Sequence, residues 1–292
     1  MIEEERLRAV LERGLGGPVG DLARTPIAGG SINDAFVVEV GDARVLVKGN
    51  SRPLPDQFAA EAAGLEALRA AGTSLVVPRV IGYDDDADRG GILVIEYLPP
   101  GRPAPDFDER VGRGLAELHA VGSEHGFGFD RDGYCGATPQ PNPWTGNWPS
   151  FYAEQRLMHH ARLARDRGLD ETTCGLVEEI AQRLTEWIDD TEPALIHGDL
   201  WSGNLHCTAD GCPALIDPAA YFAHREAELG MMSLFGGFGS RVWETYQDAW
   251  PLRPGWRTRL GLYELYHLLN HYVLFGGGYA SGVRETALRY AG

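Results

Sequence analysis

The chain has 292 residues, of which 43% are hydrophobic and 23% are charged, a composition that excludes disordered, collagen-like and coiled-coil chains. Its formal net charge of −16 repels phosphate backbones, which argues against nucleic acid or an anionic membrane as a partner. The sequence contains no apolar run of the roughly 18 residues that a spanning helix needs, and its acidic start differs from a basic secretory signal. We therefore expect a cytoplasmic protein whose four cysteines are free thiols and whose length favours two domains or lobes.

The first hundred residues are predicted to form strands together with one or two helices. Gly41-Asp42, between two β-rich runs, is a hairpin signal. The acidic run Asp84–Asp88 is interpreted as a solvated turn between two later strands. In chain order we predict a helix over 3–14, strands over 35–40 and 44–48, a helix over 55–71, and strands over 76–83 and 92–98.

The segment Pro99–Pro103 contains three prolines and a glycine, and we predict the lobe boundary there. The N-terminal lobe would span 1–98 and the C-terminal lobe 99–292. The C-terminal elements are predicted as a loop over 126–147, a strand pair within 205–217, and helices over 107–121, 149–167, 171–189, 224–234, 240–249, 256–275 and 282–290. Strands first and helices later predict an α+β fold with two lobes.

Lys48 is the single lysine among 26 basic residues of the Lys and Arg types. A compact ammonium retained in a chain that otherwise uses arginine is consistent with a site where a planar guanidinium does not fit; the alternative is chance on a surface strand. On the helix that follows, Glu61 shares the apolar stripe of Phe58, Leu65 and Leu68. A carboxylate on an inward stripe needs a cation, which predicts a Lys48–Glu61 pair; the alternative is a surface glutamate on a wide helix.

Asp199 and Asn204 lie five residues apart in a glycine-containing loop after an apolar strand. An acid and an amide from one loop supply the proton acceptor and the magnesium ligand that phosphoryl transfer needs. Downstream, Asp217 ends an apolar strand, and Asp210-Gly211 is a two-residue turn signal that would place Asn204 opposite Asp217. Such a pair suits a hard cation. Pro213 counts against this strand register, because proline cannot donate a hydrogen bond to the ladder. The alternative is a plain hairpin with polar ends.

Two further segments could contact a nucleotide. In Ala28–Asp34, glycines allow backbone N–H groups to approach an anion, and Ser31 and Asn33 add donors; the alternative is a common turn. In Ile95–Leu98, the backbone at the strand end could contact an adenine edge; the alternative is an ordinary strand end. Taken with the lysine, the glutamate and the acidic loop, the order of these features predicts a protein-kinase-like fold.

The chain resembles the fructosamine-3-kinase (ketosamine-3-kinase) family, which is related to aminoglycoside phosphotransferases and choline kinases. The resemblance covers nearly the whole chain. Its most specific stretch is His197–Asn204, with Trp after Asp-Leu, and Asp217-Pro218-Ala219 follows it. His224–Leu229 and the aromatic segment Trp148–Leu157 also match the family pattern.

The resemblance implies ATP-dependent phosphorylation of the sugar O3 of a ketosamine, after which the product sheds its amine in a deglycation reaction. Asp199 would orient the acceptor hydroxyl as a base, and Asn204 and Asp217 would hold Mg²⁺. Lys48, held by Glu61, would contact the α- and β-phosphates. The remaining nucleotide contacts implied are the phosphate loop Gly29, Gly30, Ser31, Ile32 and Asn33, and the adenine-contacting strand end Ile95, Glu96, Tyr97 and Leu98.

Ser31 departs from the family, many members of which have cysteine in the phosphate loop, so no thiol switch is expected there. For the substrate, Trp201 and Trp148 are candidates for stacking on the sugar, and Tyr152 and Arg225 are further candidates. The substrate could be a small-molecule or a protein-bound ketosamine of four to six carbons. Two alternatives stay open: another small-molecule kinase, acting on an aminoglycoside, choline or an amino alcohol, and an ATP-binding pseudokinase.

Overall fold

The computed structural model describes residues 2–27, 34–41, 43–86, 88–188 and 191–291. Its N-terminal part is a five-stranded antiparallel sheet, in the order β1-β2-β3-β5-β4, with one helix on each face. The strands are Ala23–Pro26 (β1), Asp34–Val40 (β2), Ala43–Asn50 (β3), Val80–Asp86 (β4) and Gly90–Glu96 (β5), and the helices are Glu4–Leu15 (α1) and Gln57–Ala70 (α2).

Alternation of side chains along β3 and β5 gives the sheet two apolar faces. Val45 and Val47 pack in the cluster that contains α1, whereas Leu93 and Ile95 pack in the cluster that contains α2. Because successive side chains of a strand point to opposite faces, Lys48 lies on the α2 side of the sheet. The strand pattern therefore directs the single lysine towards the helix that carries the predicted carboxylate.

The acidic run was expected to be a solvated turn, and that expectation is wrong for Asp84, Asp85 and Asp86, which form the end of β4. Arg6 of α1 donates to the Asp84 carboxylate at 2.9 Å. Asp85 accepts hydrogen bonds from the backbone N–H groups of Phe58 and Ala59 at 3.3 and 2.8 Å. It thus satisfies donors of the first turn of α2, which has no side-chain cap from its own N-cap residue.

The C-terminal part is mainly helical, with three short antiparallel strand pairs. Its helices are Phe107–His119 (α3), Trp148–Phe151 (α4), His159–Asp166 (α5), Glu171–Gln182 (α6), Glu226–Phe235 (α7), Ser240–Ala249 (α8), Trp256–Phe275 (α9) and Ala280–Leu288 (α10). A π-helical stretch, Tyr152–Met158, joins α4 to α5. The strand pairs are Gly133–Cys135 (β6) with Thr138–Gln140 (β7), Leu205–Cys207 (β9) with Pro213–Leu215 (β10), and Ala194–Ile196 (β8) with Tyr221–Ala223 (β11).

Several predicted elements need correction. The strand predicted over 76–83 begins only at Val80, and Val76 instead forms an isolated parallel bridge with Ala214 of β10. The loop predicted over 126–147 contains the β6–β7 hairpin. These short pairings depend on long-range partners, so local sequence gives little signal for them.

Within the described residues, the helices lack the length and apolar character needed to cross a bilayer. All four cysteines are unpaired. The sheet-plus-helices architecture agrees with the predicted α+β class, while the division between 1–98 and 99–292 stays a prediction.

Candidate active site

A cleft of about 850 Å³ lies between the sheet and the helical part. Three groups of residues line it. An apolar group, here called the apolar end, includes Ile27, Leu46, Ile95 and Leu98; a charged and polar group consists of Lys48, Glu61, Asp199, Asn204 and Asp217; and a third group includes Cys135, Trp201, Asn270, His271 and Phe275. All five residues predicted to serve the phosphates, the metal and the acceptor hydroxyl therefore border one cavity.

The Lys48 ammonium joins two carboxylates. Its Nζ lies 2.5 Å from Oε1 of Glu61 and 2.5 Å from Oδ1 of Asp217. The side chains of Lys48 and Glu61 are 10% and 14% exposed, whereas that of Asp217 is 47% exposed. Burial alone would lower the pKa of Lys48, but the two carboxylates outweigh it and raise that pKa above its ordinary value. Lys48 is therefore a fixed positive charge in the cleft.

The loop from His197 to Asn204 is held by backbone contacts that the sequence did not reveal. Nε2 of His197 bonds the Ile216 carbonyl at 2.8 Å, and the backbone N–H of Ala219 donates to the His197 carbonyl at 2.9 Å. Gly198 has φ +83°, and a Cβ there would lie 2.2 Å from the Ala219 oxygen. Only glycine fits this close approach without a shift.

Glu228 of α7 is fully buried beneath this loop. Its carboxylate accepts hydrogen bonds from the backbone N–H groups of His197 at 2.5 Å and Gly198 at 3.1 Å. A buried charge with two such partners holds the backbone on which Asp199 sits. Sequence analysis did not single out Glu228, which shares the first turn of α7 with a second acid, Glu226.

Burial is the main reason why the pKa of Asp199 rises to about 8, and the charges of Glu228 and Asp217 add to the effect. Hydrogen bonds from Asn204 and Cys135 act in the opposite direction. Nδ2 of Asn204 lies 2.8 Å from the Asp199 carbonyl and 3.3 Å from Oδ2 of its carboxylate. A perturbed carboxyl group in a cleft, with a defined orientation, is a candidate for acid–base chemistry.

The hairpin register predicted between Asn204 and Asp217 is wrong by one residue. Leu205 pairs with Leu215, and the Asn204 carbonyl accepts from Ile216 N–H at 3.1 Å. The turn has three residues rather than two, because Thr208 closes it: its Oγ1 accepts from Cys212 N–H at 3.0 Å.

Asp217 itself has φ +57°, a left-handed conformation that is uncommon outside glycine. The chain therefore leaves the strand ladder before this residue, and strand alternation does not determine where its side chain points. Asp217 and Asn204 border the same cleft despite the register error.

Three predicted substrate residues do not line the cleft. Trp148 and Tyr152 are 1% and 0% exposed and pack in the helical core, where Tyr263 contacts both. Arg225 is buried, donates to the Trp250 and Pro251 carbonyls at 2.9 and 2.6 Å, and stacks on the Trp250 ring. Each of these side chains packs within the protein, so the prediction that they contact the substrate is wrong.

Trp201 does border the cleft, and it is 42% exposed. At the apolar end, the backbone N–H of Glu96 donates to the Arg79 carbonyl at 2.8 Å, and the Leu98 carbonyl accepts from Nε2 of His206 at 3.0 Å. The predicted phosphate-loop residues Gly29 to Asn33 lie outside the described residues, between β1 and β2.

Sequence analysis missed the cleft residues supplied by the β6–β7 hairpin and by the end of α9. Cys135 and Gln140 come from the hairpin, and Asn270 and His271 come from the helix. Nδ2 of Asn270 donates to the Cys135 carbonyl at 3.3 Å, which ties the two elements together. Tyr266, on the same helix, is buried in the core instead.

Comparisons with known proteins identify a family model and several relatives that this chain is similar to. The fructosamine kinase family model matches residues 4–290. A probable ketoamine kinase from Synechocystis is 42% identical over 90% of this chain and 88% of that protein. A chloroplastic protein-ribulosamine 3-kinase from Oryza sativa subsp. indica is 38% identical, over 87% of this chain and 75% of that protein.

Solved structures of related proteins have the same fold as this chain. A crystal structure from Thermobifida fusca, provisionally assigned as a fructosamine-3-kinase, has a TM-score of 0.86 at 37% identity and covers 99% of both chains. Aminoglycoside phosphotransferase APH(4)-Ia has a TM-score of 0.64 at 17% identity, over 99% of this chain and 98% of that one. The latter similarity concerns the fold alone, and it confirms the predicted protein-kinase-like architecture.

Proposed function

The chain belongs to the fructosamine kinase family, and we propose that it transfers the γ-phosphoryl group of ATP to the sugar O3 of a ketosamine in the cytoplasm. The substrate class is ribulosamine, fructosamine or erythrulosamine, carried by a small amine or by a protein. The 3-phosphate product then releases the amine, so the reaction reverses glycation. Relatives named as ketoamine kinase and protein-ribulosamine 3-kinase support this substrate class.

The observation that carries the proposal is the contact of Lys48 with both Glu61 and Asp217, beside Asp199 and Asn204 in one cleft. Phosphoryl transfer requires little covalent chemistry from the protein, so catalysis depends on positioning and on charge stabilisation. A lysine that Glu61 holds in place can direct its ammonium at the α- and β-phosphates. The presence of all these groups argues against a pseudokinase.

Asn204 and Asp217 fit a magnesium ion. The amide nitrogen of Asn204 is directed at Asp199, so its amide oxygen is the atom that can act as a ligand. Lys48 occupies Oδ1 of Asp217, and the exposed carboxylate has a second oxygen. Magnesium prefers such oxygen ligands, and when bound it neutralises phosphate charge.

Asp199 acts in its ionised form, which becomes the major form only above about pH 8 in the protein free of ligands. The carboxylate orients the O3 hydroxyl and accepts its proton as the hydroxyl oxygen attacks the γ-phosphorus and the bond to the departing ADP oxygen breaks. The hydrogen bond from Asn204 holds the Asp199 carboxylate in place, and Glu228 holds the backbone beneath it. General acid–base assistance of this kind contributes about 10²–10⁴-fold to a rate. Trp201, exposed at the cleft, is the residue we assign to stacking against the sugar.

For the nucleotide, we assign adenine to the apolar end of the cleft. The Glu96 N–H and the Leu98 carbonyl already have protein partners, so the Glu96 carbonyl and the Leu98 N–H are assigned to the adenine edge. Gly29 to Asn33 are proposed to cover the phosphates. In this arrangement ATP binds between the proposed lobes 1–98 and 99–292.

The test is ADP release with Mg²⁺ and ATP across a panel of erythrulosamine, ribulosamine, fructosamine, choline and an aminoglycoside. We expect turnover with ketosamines alone, and loss of that turnover in Asp199→Asn. Turnover with choline or the aminoglycoside, but with no ketosamine, would replace the proposal with another small-molecule kinase. ATP binding without turnover on any member would favour a pseudokinase.

A further inference from the structure

Three side chains with metal-ligating atoms meet beside the cleft. Cys135, Asp199 and His267 each place one such atom within 4.8 Å of the other two. Cys135 and His267 are 1% and 3% exposed, whereas Asp199 is only partly buried. We propose that these residues form an inhibitory binding site for Zn²⁺.

The geometry needs only a small contraction to hold zinc. Tetrahedral zinc has Zn–S distances of about 2.3 Å and Zn–N and Zn–O distances of about 2.0–2.2 Å, so its ligand atoms lie roughly 3.5 Å apart. Since the three ligand atoms lie within 4.8 Å of one another, the cluster must close by at most about 1.3 Å. Cys135 ends β6, and its carbonyl is bonded by Asn270, which lies on α9 with His267. This contact fixes two of the three ligands relative to each other.

The chemistry of the donors favours zinc over magnesium. Thiolate and imidazole are ligands for zinc, whereas magnesium prefers oxygen. Nδ1 of His267 is buried without a hydrogen-bond partner in the described part of the chain. Burial lowers the pKa of His267 to about 3, so the imidazole is neutral, as metal binding requires.

The charge balance also fits a divalent cation. When zinc binds, the Cys135 thiol and the Asp199 carboxyl group, which is protonated in the metal-free protein, each give up a proton to solvent. The resulting thiolate and carboxylate together balance the two positive charges. Glu228 and Asp217 add negative charge close to Asp199, which favours a cation further. Cys135 and Asp199 border the cleft, so a water molecule from the cleft can complete the tetrahedron, as in sites with three protein ligands.

Zinc at this site occupies the carboxylate that, in the proposed function, accepts the hydroxyl proton. Inhibition therefore rests on the proposed function, but metal binding does not. The two can be tested separately, because a titration with metal alone needs neither ATP nor a ketosamine. Magnesium at Asn204 and Asp217 is a different site with oxygen ligands.

The binding test is a titration of the full chain with CdCl₂, followed through the ultraviolet absorption of the cadmium–thiolate bond. We expect one tight equivalent in the wild type and in Cys212→Ser, a control that removes a half-buried thiol outside the cluster. Cys135→Ser should lose the band, and His267→Gln should bind at least about 10-fold more weakly. A band that survives in Cys135→Ser, or that disappears in Cys212→Ser, would place the metal elsewhere and overturn the proposal.

The inhibition test compares Zn²⁺ titrations of kinase activity, each scaled to the variant's own rate without zinc. The half-inhibitory concentration should rise at least about 10-fold in Cys135→Ser and stay unchanged in Cys212→Ser. Equal inhibition of both variants would show that zinc acts through another site. Melting temperatures of all the variants confirm that each protein is folded during the titration.

Discussion

Replacing Asp199 with Asn should stabilise the protein free of metal and nucleotide, and the gain should grow with pH. The folded-state pKa of Asp199 is about 8, against an ordinary value of 3.8, so the folded state binds this proton more tightly than the unfolded state does. The stability that protonation contributes is fully present below about pH 4 and is lost as the pH rises towards 8. Asn mimics the neutral carboxyl group at every pH.

The size of the stability gain in Asp199→Asn follows from the pKa shift of Asp199. Between pH 5 and 7 the unfolded carboxyl group is ionised while the folded one stays protonated, so the stability difference grows by about 1.4 kcal/mol per pH unit, or about 3 kcal/mol in all. For a chain of this length, that free energy corresponds to a melting-temperature difference that widens by about 5 °C. Above pH 8 the difference should level off.

The assay is thermal unfolding of wild type and Asp199→Asn in EDTA at each pH from 5 to 9. Asp166→Asn, an exposed acid on α5, is the matched control and should follow the wild type. Activity measured on the same proteins should fall about 10²–10⁴-fold in Asp199→Asn alone. A melting-temperature difference that stays constant with pH would refute the argument that burial and neighbouring charge hold this carboxyl group protonated.

Three further predictions concern the surroundings of the cleft. Glu228→Gln removes one of the charges that raise the Asp199 pKa, so the pH-dependent gain from Asp199→Asn should shrink in that background; an unchanged gain would contradict the assignment. Lys48→Arg should lose about 10²-fold or more of activity with little change in melting temperature, because a longer planar cation misplaces the phosphates by about 1 Å. Turnover at the wild-type rate would show that the lone lysine is an accident of composition. Trp201→Ala should raise KM for the ketosamine but not for ATP, whereas Trp148→Ala should lower the free energy of unfolding by about 3–5 kcal/mol. Steady-state kinetics test the first variant and unfolding measurements test the second. A raised ketosamine KM in a well-folded Trp148→Ala would reverse the roles of the two tryptophans.

The Lys48–Glu61 pair was predictable because it depends on local periodicity. Strand alternation sets the face of the lysine, helical periodicity sets the face of the glutamate, and the two elements are close in sequence. The contact of Lys48 with Asp217 was not predictable in this way. A three-residue turn closed by Thr208 changed the hairpin register, and the left-handed backbone of Asp217 removed its side chain from strand alternation.

Trp148 and Tyr152 are residues for which the sequence led to a wrong prediction. Their segment matches the family pattern, and aromatic residues in such a segment suggested contact with a sugar. With Phe151, however, they recur at a spacing of three and four residues, which is the spacing of a buried helical face, and the structure buries all three. Cys135 and Asn270 could not be found from the sequence, because only the tertiary fold brings a hairpin and a distant helix to one cleft.

The measurement that tests the central claim most directly is nuclear magnetic resonance of the reaction product formed from ribulosamine, ATP and Mg²⁺. Phosphorus–proton coupling identifies the carbon whose oxygen carries the new phosphate, and the same sample shows the amine being released over time. The account predicts phosphate on O3, formed by the wild type and not by Asp199→Asn, followed by loss of the amine. Phosphate on another hydroxyl, or ATP hydrolysis with the ribulosamine unchanged, would contradict it.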